Sequence, residues 1–268
     1  MDKTLLQKNK TLSIRISTNG FCFCSYTATI PDSLQYYFYE VNDRITLAAN
    51  LDEALKEVPF TDEGDYEDVR IIIDSDKFTA IPEEYDDKEA YDSLFRSCFP
   101  QTTATERIIA NRLPAQGITL LFSIENILFD RLCKLGNITF YTPPSIILGF
   151  LEKHSIDESR YMFAYYNHKT LLLLSITDGR LKLVNCFKSD DAHDHAFYTL
   201  SIWKEQELLQ EENCLYICGD KGVEELSPIL KLFIRKTRRI NPNELFRPHL
   251  LNRISKIPFD LQALLLCE

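Results

Sequence analysis

Two strand–turn–strand patterns, one in each half of the chain, restrict the possible folds more than any other feature of this sequence. In the first, Leu12, Ile14 and Ile16 alternate with Ser13, Arg15 and Ser17, the period of two that marks a strand with one buried face. Thr18-Asn19-Gly20 follows, and Asn and Gly tolerate the positive φ that a type I′ turn requires. Residues 21–26 return as the partner strand. In the second pattern, strands at 161–165 and 170–176 flank a turn at Asn167-His168. Asp178-Gly179 then turns into a third strand, where Leu181, Leu183 and Asn185 alternate with Lys182, Val184 and Cys186.

Helices and short strands follow each hairpin. In the first half, helices are expected at 52–58, with Asp52 near the start, and at 88–98, where Ala90, Tyr91, Leu94, Phe95 and Cys98 fall at helical spacing. A further helix at 123–135 is expected to be capped by Ser123 and stopped by Gly136, and another runs over 143–154. Strands are expected at 69–73, 78–82, 107–112, 118–122 and 138–141. In the second half the order is a helix at 192–210, a strand at 214–218 apolar enough to be covered on both faces, a helix at 223–233 and a terminal helix at 258–267. The chain therefore reads as α/β, duplicated in pattern. Its 268 residues, 45% of them hydrophobic, suffice for two lobes. The polar stretch around Asp157 divides them into 1–156 and 157–268.

Several chemistries are excluded by spacing. Cys22-x-Cys24 and Cys214-x-x-x-Cys218 match neither zinc knuckles nor redox motifs, and in strands each pair shares one face as small core thiols. With Cys98, Cys133, Cys186 and Cys267 they read as reduced cysteines of a reducing compartment. His193 and His195 sit among Asp190, Asp191 and Asp194, but helical residues two apart point about 200° apart, so no metal site is expected. Acidic runs at 62–68 and 83–87 lack calcium-loop spacing and read as solvated loops. Gly219-Asp220-Lys221-Gly222 lacks the spacer and the Lys-Ser/Thr pair of a phosphate-binding P-loop.

Charge and hydropathy narrow the partners. The formal net charge of −10 opposes nucleic-acid binding, because phosphates are neutralised by Lys and Arg. Lys231, Arg235, Lys236, Arg238 and Arg239 are the one basic run, placed at the end of the 223–233 helix where cations complement the dipole. The polar start of the chain lacks a secretory core, and no apolar run is long enough to span a bilayer, so a cytoplasmic protein is expected.

The stretches Leu12-Ser13-Ile14-Arg15-Ile16-Ser17-Thr18-Asn19-Gly20-Phe21, Ile81-Pro82, Leu215-Tyr216-Ile217-Cys218-Gly219 and Ile257-Pro258-Phe259-Asp260-Leu261 resemble an uncharacterised bacterial domain-of-unknown-function family. That family is similar to the actin-like proteins of type IV pilus and type II secretion assembly, within the actin, sugar-kinase and Hsp70 superfamily. The resemblance implies two ribonuclease-H-like lobes in a divergent actin-like ATPase fold. It also implies an acidic, glycine-bearing phosphate turn at the first hairpin of each lobe. Here those turns are Ser17-Thr18-Asn19-Gly20 and Tyr165-Tyr166-Asn167-His168, neither carrying an acid, and His168 with Lys169 would crowd a phosphate. Thr18, Asn19, Gly20, Asn167, His168 and Gly219 are thus expected to be vestiges of a nucleotide site, with no cofactor or metal. The leading expectation is a non-catalytic actin-like scaffold acting through an unknown protein partner, to which Tyr36-Tyr37-Phe38-Tyr39 contributes either an interface or core. A nucleotide-binding or phosphotransfer protein with atypical phosphate loops, and an RNA-associated protein using the basic run, are the alternatives.

Overall fold

The computed structural model describes residues 10–27, 30, 33–61, 66–154, 156–167, 169–220, 222–241 and 257–266. These divide into two compact units: 10–112, 119–145 and 257 form one, and 113–118, 146–241 and 258–266 the other. Among the described residues, no helix is long and apolar enough to cross a membrane.

In the first unit the expected hairpin is β1 (Lys10–Ile16) and β2 (Gly20–Thr27), followed by β3 (Gln35–Glu40). Its turn departs from expectation, because neither Asn19 nor Gly20 has a positive φ. Instead the Ser17 N–H and hydroxyl both donate to the Gly20 carbonyl, at 3.2 and 2.6 Å. Helix α1 (Leu47–Glu57) begins five residues before the expected start, capped by Thr46, whose hydroxyl accepts from the Ala49 N–H at 3.2 Å. Strand β4 (Asp68–Ile73) lies parallel to β1. A small three-stranded sheet is then inserted: β5 (Phe78–Pro82), α2 (Tyr91–Cys98), β6 (Glu106–Leu113) and β7 (Ile118–Glu125), in the order β5-β7-β6.

The Ser123 cap does not form. Strand β7 runs through Ser123, whose hydroxyl donates to Glu106 Oε2 at 2.7 Å, and α3 (Asn126–Leu132) starts three residues later. Strand β8 (Ile138–Tyr141) completes the larger sheet in the order β3-β2-β1-β4-β8; α4 (Pro143–Lys153) follows, its residues from Ile146 onward belonging to the second unit. The expectation of one buried face on β1 is also corrected. Leu12, Ile14 and Ile16 are buried, but so are Ser13, Arg15 and Ser17.

The second unit contains β9 (Arg160–Asn167), β10 (Thr170–Thr177), β11 (Arg180–Lys188), α5 (Ala192–Glu205), β12 (Cys214–Gly219), α6 (Gly222–Lys231), β13 (Lys236–Arg239) and α7 (Phe259–Leu266). Its sheet runs β11-β10-β9-β12-β13, with β9–β10 and β10–β11 antiparallel and β9–β12 and β12–β13 parallel. The first unit's sheet has the same order and the same strand senses. Each unit therefore carries the ribonuclease-H-like sheet that the resemblance implies. The expected type I′ turn is present here, with Asp178 and Gly179 at φ 51° and 73°.

One face of this sheet packs Met162, Ala164, Leu173, Leu215 and Ile217 against Ala196, Ile202 and Trp203 of α5 and Val223, Leu226 and Leu230 of α6. Trp203, the chain's one tryptophan, is 2% exposed. On the other face Phe163 and Tyr165 meet Phe259 of α7. Each of the larger apolar side chains contributes on the order of 2 kcal/mol through the area it removes from water.

Helix α5 stops at Glu205 rather than 210. Glu207 takes a left-handed conformation, φ 52°, and the Leu208 N–H reaches back to the Trp203 carbonyl at 3.1 Å. The basic run is likewise corrected. α6 ends at Lys231, two residues before the expected Phe233, and residues 236–239 form edge strand β13 instead of lying at a helix end.

Candidate functional site

The strand ends where the resemblance implies phosphate turns are built from backbone, so what lies against their glycines decides what can enter. In the first unit, Thr18 and Asn19 are exposed at the tip of the β1–β2 turn, while Ser17 and Gly20 are buried. The Phe38 ring of β3 lies against Gly20: a Cβ there would stand 2.4 Å from its Cε2 and Cζ. Phe38 is 49% exposed, Tyr39 is buried, and Tyr36 and Tyr37 are half-buried. The aromatic strand is thus divided between core and surface.

The turn itself carries no carboxylate, but one stands close by. Asp74, just past the end of β4, pairs with the Arg15 guanidinium at 2.6 Å, and Arg15 is only 3% exposed. The sequence reading missed this pair. Its signal was an arginine inside an otherwise apolar strand, since a buried guanidinium requires an anionic partner.

The second unit shows the same filling. Strand β12 ends at Gly219, φ 146°, where a Cβ would stand 1.9 Å from the Tyr166 carbonyl oxygen. The Asp220 N–H donates to that carbonyl at 3.1 Å, and Asp220 Oδ1 accepts from the Gly222 N–H at 3.0 Å as α6 begins. A Cβ on Gly222 would stand 1.7 Å from Tyr166 Cε1. The ring also meets His195 of α5 edge-on, with centroids 4.8 Å apart. Burial first, then the Asp220 and Glu225 carboxylates, raises the Tyr166 phenol above its ordinary value, and burial lowers His195.

Of the remaining expected site residues, Asn167 ends β9, and His168 lies outside the described residues. Lys169 Nζ pairs with Asp190 at 2.5 Å. His193 and His195 diverge as expected: the first is exposed beside its capping residue Asp191, the second fully buried. Among the described residues no three His, Cys, Asp or Glu side chains group to hold a metal.

The cysteines divide by environment. Cys22, Cys24, Cys214 and Cys218 are buried, and burial raises the last three above the ordinary thiol value. Cys98 and Cys133 are exposed and Cys186 is half-buried; Cys267 lies outside the described residues. The basic run from Arg235 to Arg239 is largely neutralised. Arg235 pairs with Glu211 at 2.7 Å, Arg238 with Glu158 at 3.5 Å, and Arg239 with Glu224, while Lys236 Nζ donates to the Glu212 carbonyl at 2.8 Å.

Comparison with known proteins agrees with this fold. A family profile described as "Protein of unknown function (DUF3822)" matches residues 2–237. A Bacteroides thetaiotaomicron protein with an actin-like ATPase fold and unknown function superposes with a TM-score of 0.82 at 28% identity, covering 100% of both chains. A chain of the PilM–PilN type IV pilus biogenesis complex superposes at 0.64, with 13% identity over 96% of this chain and 98% of that one. The ethanolamine utilization protein EutJ from Carboxydothermus hydrogenoformans superposes at 0.51, with 9% identity over 96% and 90%. Among proteins with curated descriptions, none matches by sequence.

Proposed function

The chain belongs to the DUF3822 family of unknown function, with an actin-like ATPase fold, and from that premise we propose that it is a non-catalytic scaffold working through protein contacts in the cytoplasm. The observation that carries this reading is the filling of both glycine turns by the protein's own aromatic rings, Phe38 on Gly20 and Tyr166 on Gly222. A phosphate cradle needs open backbone amides and, for its magnesium, an available carboxylate. Here the ring atoms lie against the glycines, and Asp74 beside the first turn is held by Arg15. The residues present do not fit a magnesium nucleotide.

On this reading Thr18, Asn19, Gly20, Asn167, His168 and Gly219 are vestiges of such a site, in lobes spanning 1–156 and 157–268. The PilM–PilN assembly supports protein contacts as a use of this fold. The ion pairs of Arg235, Arg238 and Arg239 leave these arginines poorly placed to serve a nucleic acid. The test is thermal unfolding with and without ATP and magnesium, because a ligand selective for the native state raises Tm. The scaffold reading expects no change with nucleotide. A saturable rise in Tm would overturn it.

A further inference from the structure

We propose that His195 is an acid-sensitive latch: while neutral it holds the Tyr166 ring against Gly222, and on protonation it releases that ring and opens the turn between β12 and α6. The imidazole lies on the first turn of α5 with no exposed surface, and among the described residues neither ring nitrogen has a hydrogen-bond partner. The Lys169 carbonyl faces it but accepts the Ser189 N–H instead, at 2.9 Å. The imidazole meets the Tyr166 ring edge-on, with centroids 4.8 Å apart, and that ring in turn covers Gly222, where a Cβ would stand 1.7 Å from its Cε1. Imidazole, phenol ring and glycine thus form one row. Beside it runs a short chain of backbone bonds: the Asp220 N–H donates to the Tyr166 carbonyl at 3.1 Å, and the Val223 N–H donates to the Asp220 carbonyl at 3.2 Å.

The surrounding charges do not rescue a buried imidazolium. Asp190, Asp191 and Asp194 at the start of α5 face the ring, but burial outweighs their pull and holds His195 below its ordinary value of 6.5. All three acids are exposed and already engaged: Asp190 with Lys169 Nζ at 2.5 Å, Asp191 with the His193 N–H at 2.7 Å, and Asp194 with the Ser189 hydroxyl at 2.7 Å. From β9 the ring faces the Tyr166 phenol, beyond which lie Asp220 and, on α6, Glu225. A proton on the buried ring therefore finds no unengaged acceptor until the side chain moves outward towards the acids of α5, and Tyr166 then loses its support. The closed state takes up the proton less readily than the open one. The latch accordingly holds above the ordinary value and weakens as pH falls below it towards the lowered one. It requires neither a nucleotide nor a protein partner.

The experiment is amide hydrogen exchange of the full chain at about pH 7.5 and about pH 5.5, read by NMR as protection factors so that the intrinsic pH dependence is removed. Between these values the Asp220 and Val223 N–H groups should lose protection on the order of 10-fold, the change expected when only the open state binds a proton at the ordinary value. The Asp74 N–H, bonded to the Ile16 carbonyl of the first unit at 2.9 Å, should not change. The His195 ring resonances should titrate below the ordinary value of 6.5. His195→Gln and His195→Leu, neither of which can take up the proton, should each erase the pH dependence at Asp220 and Val223. Equal protection at both pH values, a His195 ring that titrates at or above its ordinary value, or a pH dependence that persists in both variants would each overturn the proposal.

Discussion

The Tyr166 ring lies so close to Gly222 that a Cβ on the glycine would stand 1.7 Å from the ring's Cε1. Gly222→Ala should therefore displace the ring and destabilise the protein, whereas in a Tyr166→Ala background the same change should be nearly neutral. A double-mutant cycle by urea unfolding should give a coupling of about 1–3 kcal/mol. Additive effects would show that the ring and the glycine do not constrain each other.

Gly219→Ala should be the more damaging substitution, and Tyr166→Ala should not rescue it. Its φ of 146° disfavours any side chain, and the atom in the way is the Tyr166 carbonyl oxygen, which that substitution leaves in place. Loss of soluble, cooperatively unfolding protein, compared with Gly222→Ala, is the readout.

Arg15 and Asp74 form a largely buried ion pair. Removing the cation alone, as in Arg15→Met, breaks the pair while its carboxylate stays in place and should cost about 3 kcal/mol. Arg15→Met with Asp74→Leu should recover most of that loss, as measured by the urea midpoint. A double variant no better than the single would argue against the pair as the source of the effect.

Glu106 should shape the acid limb of the stability profile. Burial works to raise its pKa, but the Ser123 hydroxyl, the Thr103 N–H and the Lys77 ammonium outweigh it, and the carboxyl is held below its ordinary value of 4.5. Its folded value is thus below its unfolded one. The stability it contributes is present above the ordinary value and is lost as pH falls through the lowered one. Glu106→Gln should flatten the stability profile across that interval and leave the slope near neutral pH unchanged.

Glu207 is a non-glycine residue at the left-handed position that closes α5. Glu207→Gly should relieve the backbone and stabilise the protein by up to about 1 kcal/mol. A lower urea midpoint would mean that the Glu207 side chain contributes more than the strain removes.

The inner strands of the two five-stranded sheets were legible in the sequence because they are short, strongly patterned and bounded by turn residues, whereas the edge strands β3 and β13 were not expected. The hairpins at 10–27 and 160–188 and the apolar strand Cys214–Gly219 lie where the pattern puts them. Helix ends were less legible, since Ser123 has a better partner in Glu106, seventeen positions away, than in its own backbone. The basic run misled for a related reason. Once Ile234 is drawn into the core, Lys236–Arg239 becomes a strand beside β12, where Arg238 and Arg239 meet Glu158 and Glu224, while Arg235 before it meets Glu211. The lack of acids in the hairpin turns at 17–20 and 165–168 could be read directly. The rings against Gly20 and Gly222 could not, because Phe38 reaches Gly20 from a neighbouring strand and Tyr166 reaches Gly222 from β9, which runs parallel to β12.

The position of Trp203 gives the chain an optical reporter for one half only. The indole sits in the core of the second unit, so its fluorescence follows that unit's unfolding, while far-ultraviolet circular dichroism follows both. If the two signals change together, the units melt as one cooperative body. If the fluorescence follows only one of two separate steps in the dichroism, the lobe containing Tyr166 has a stability of its own.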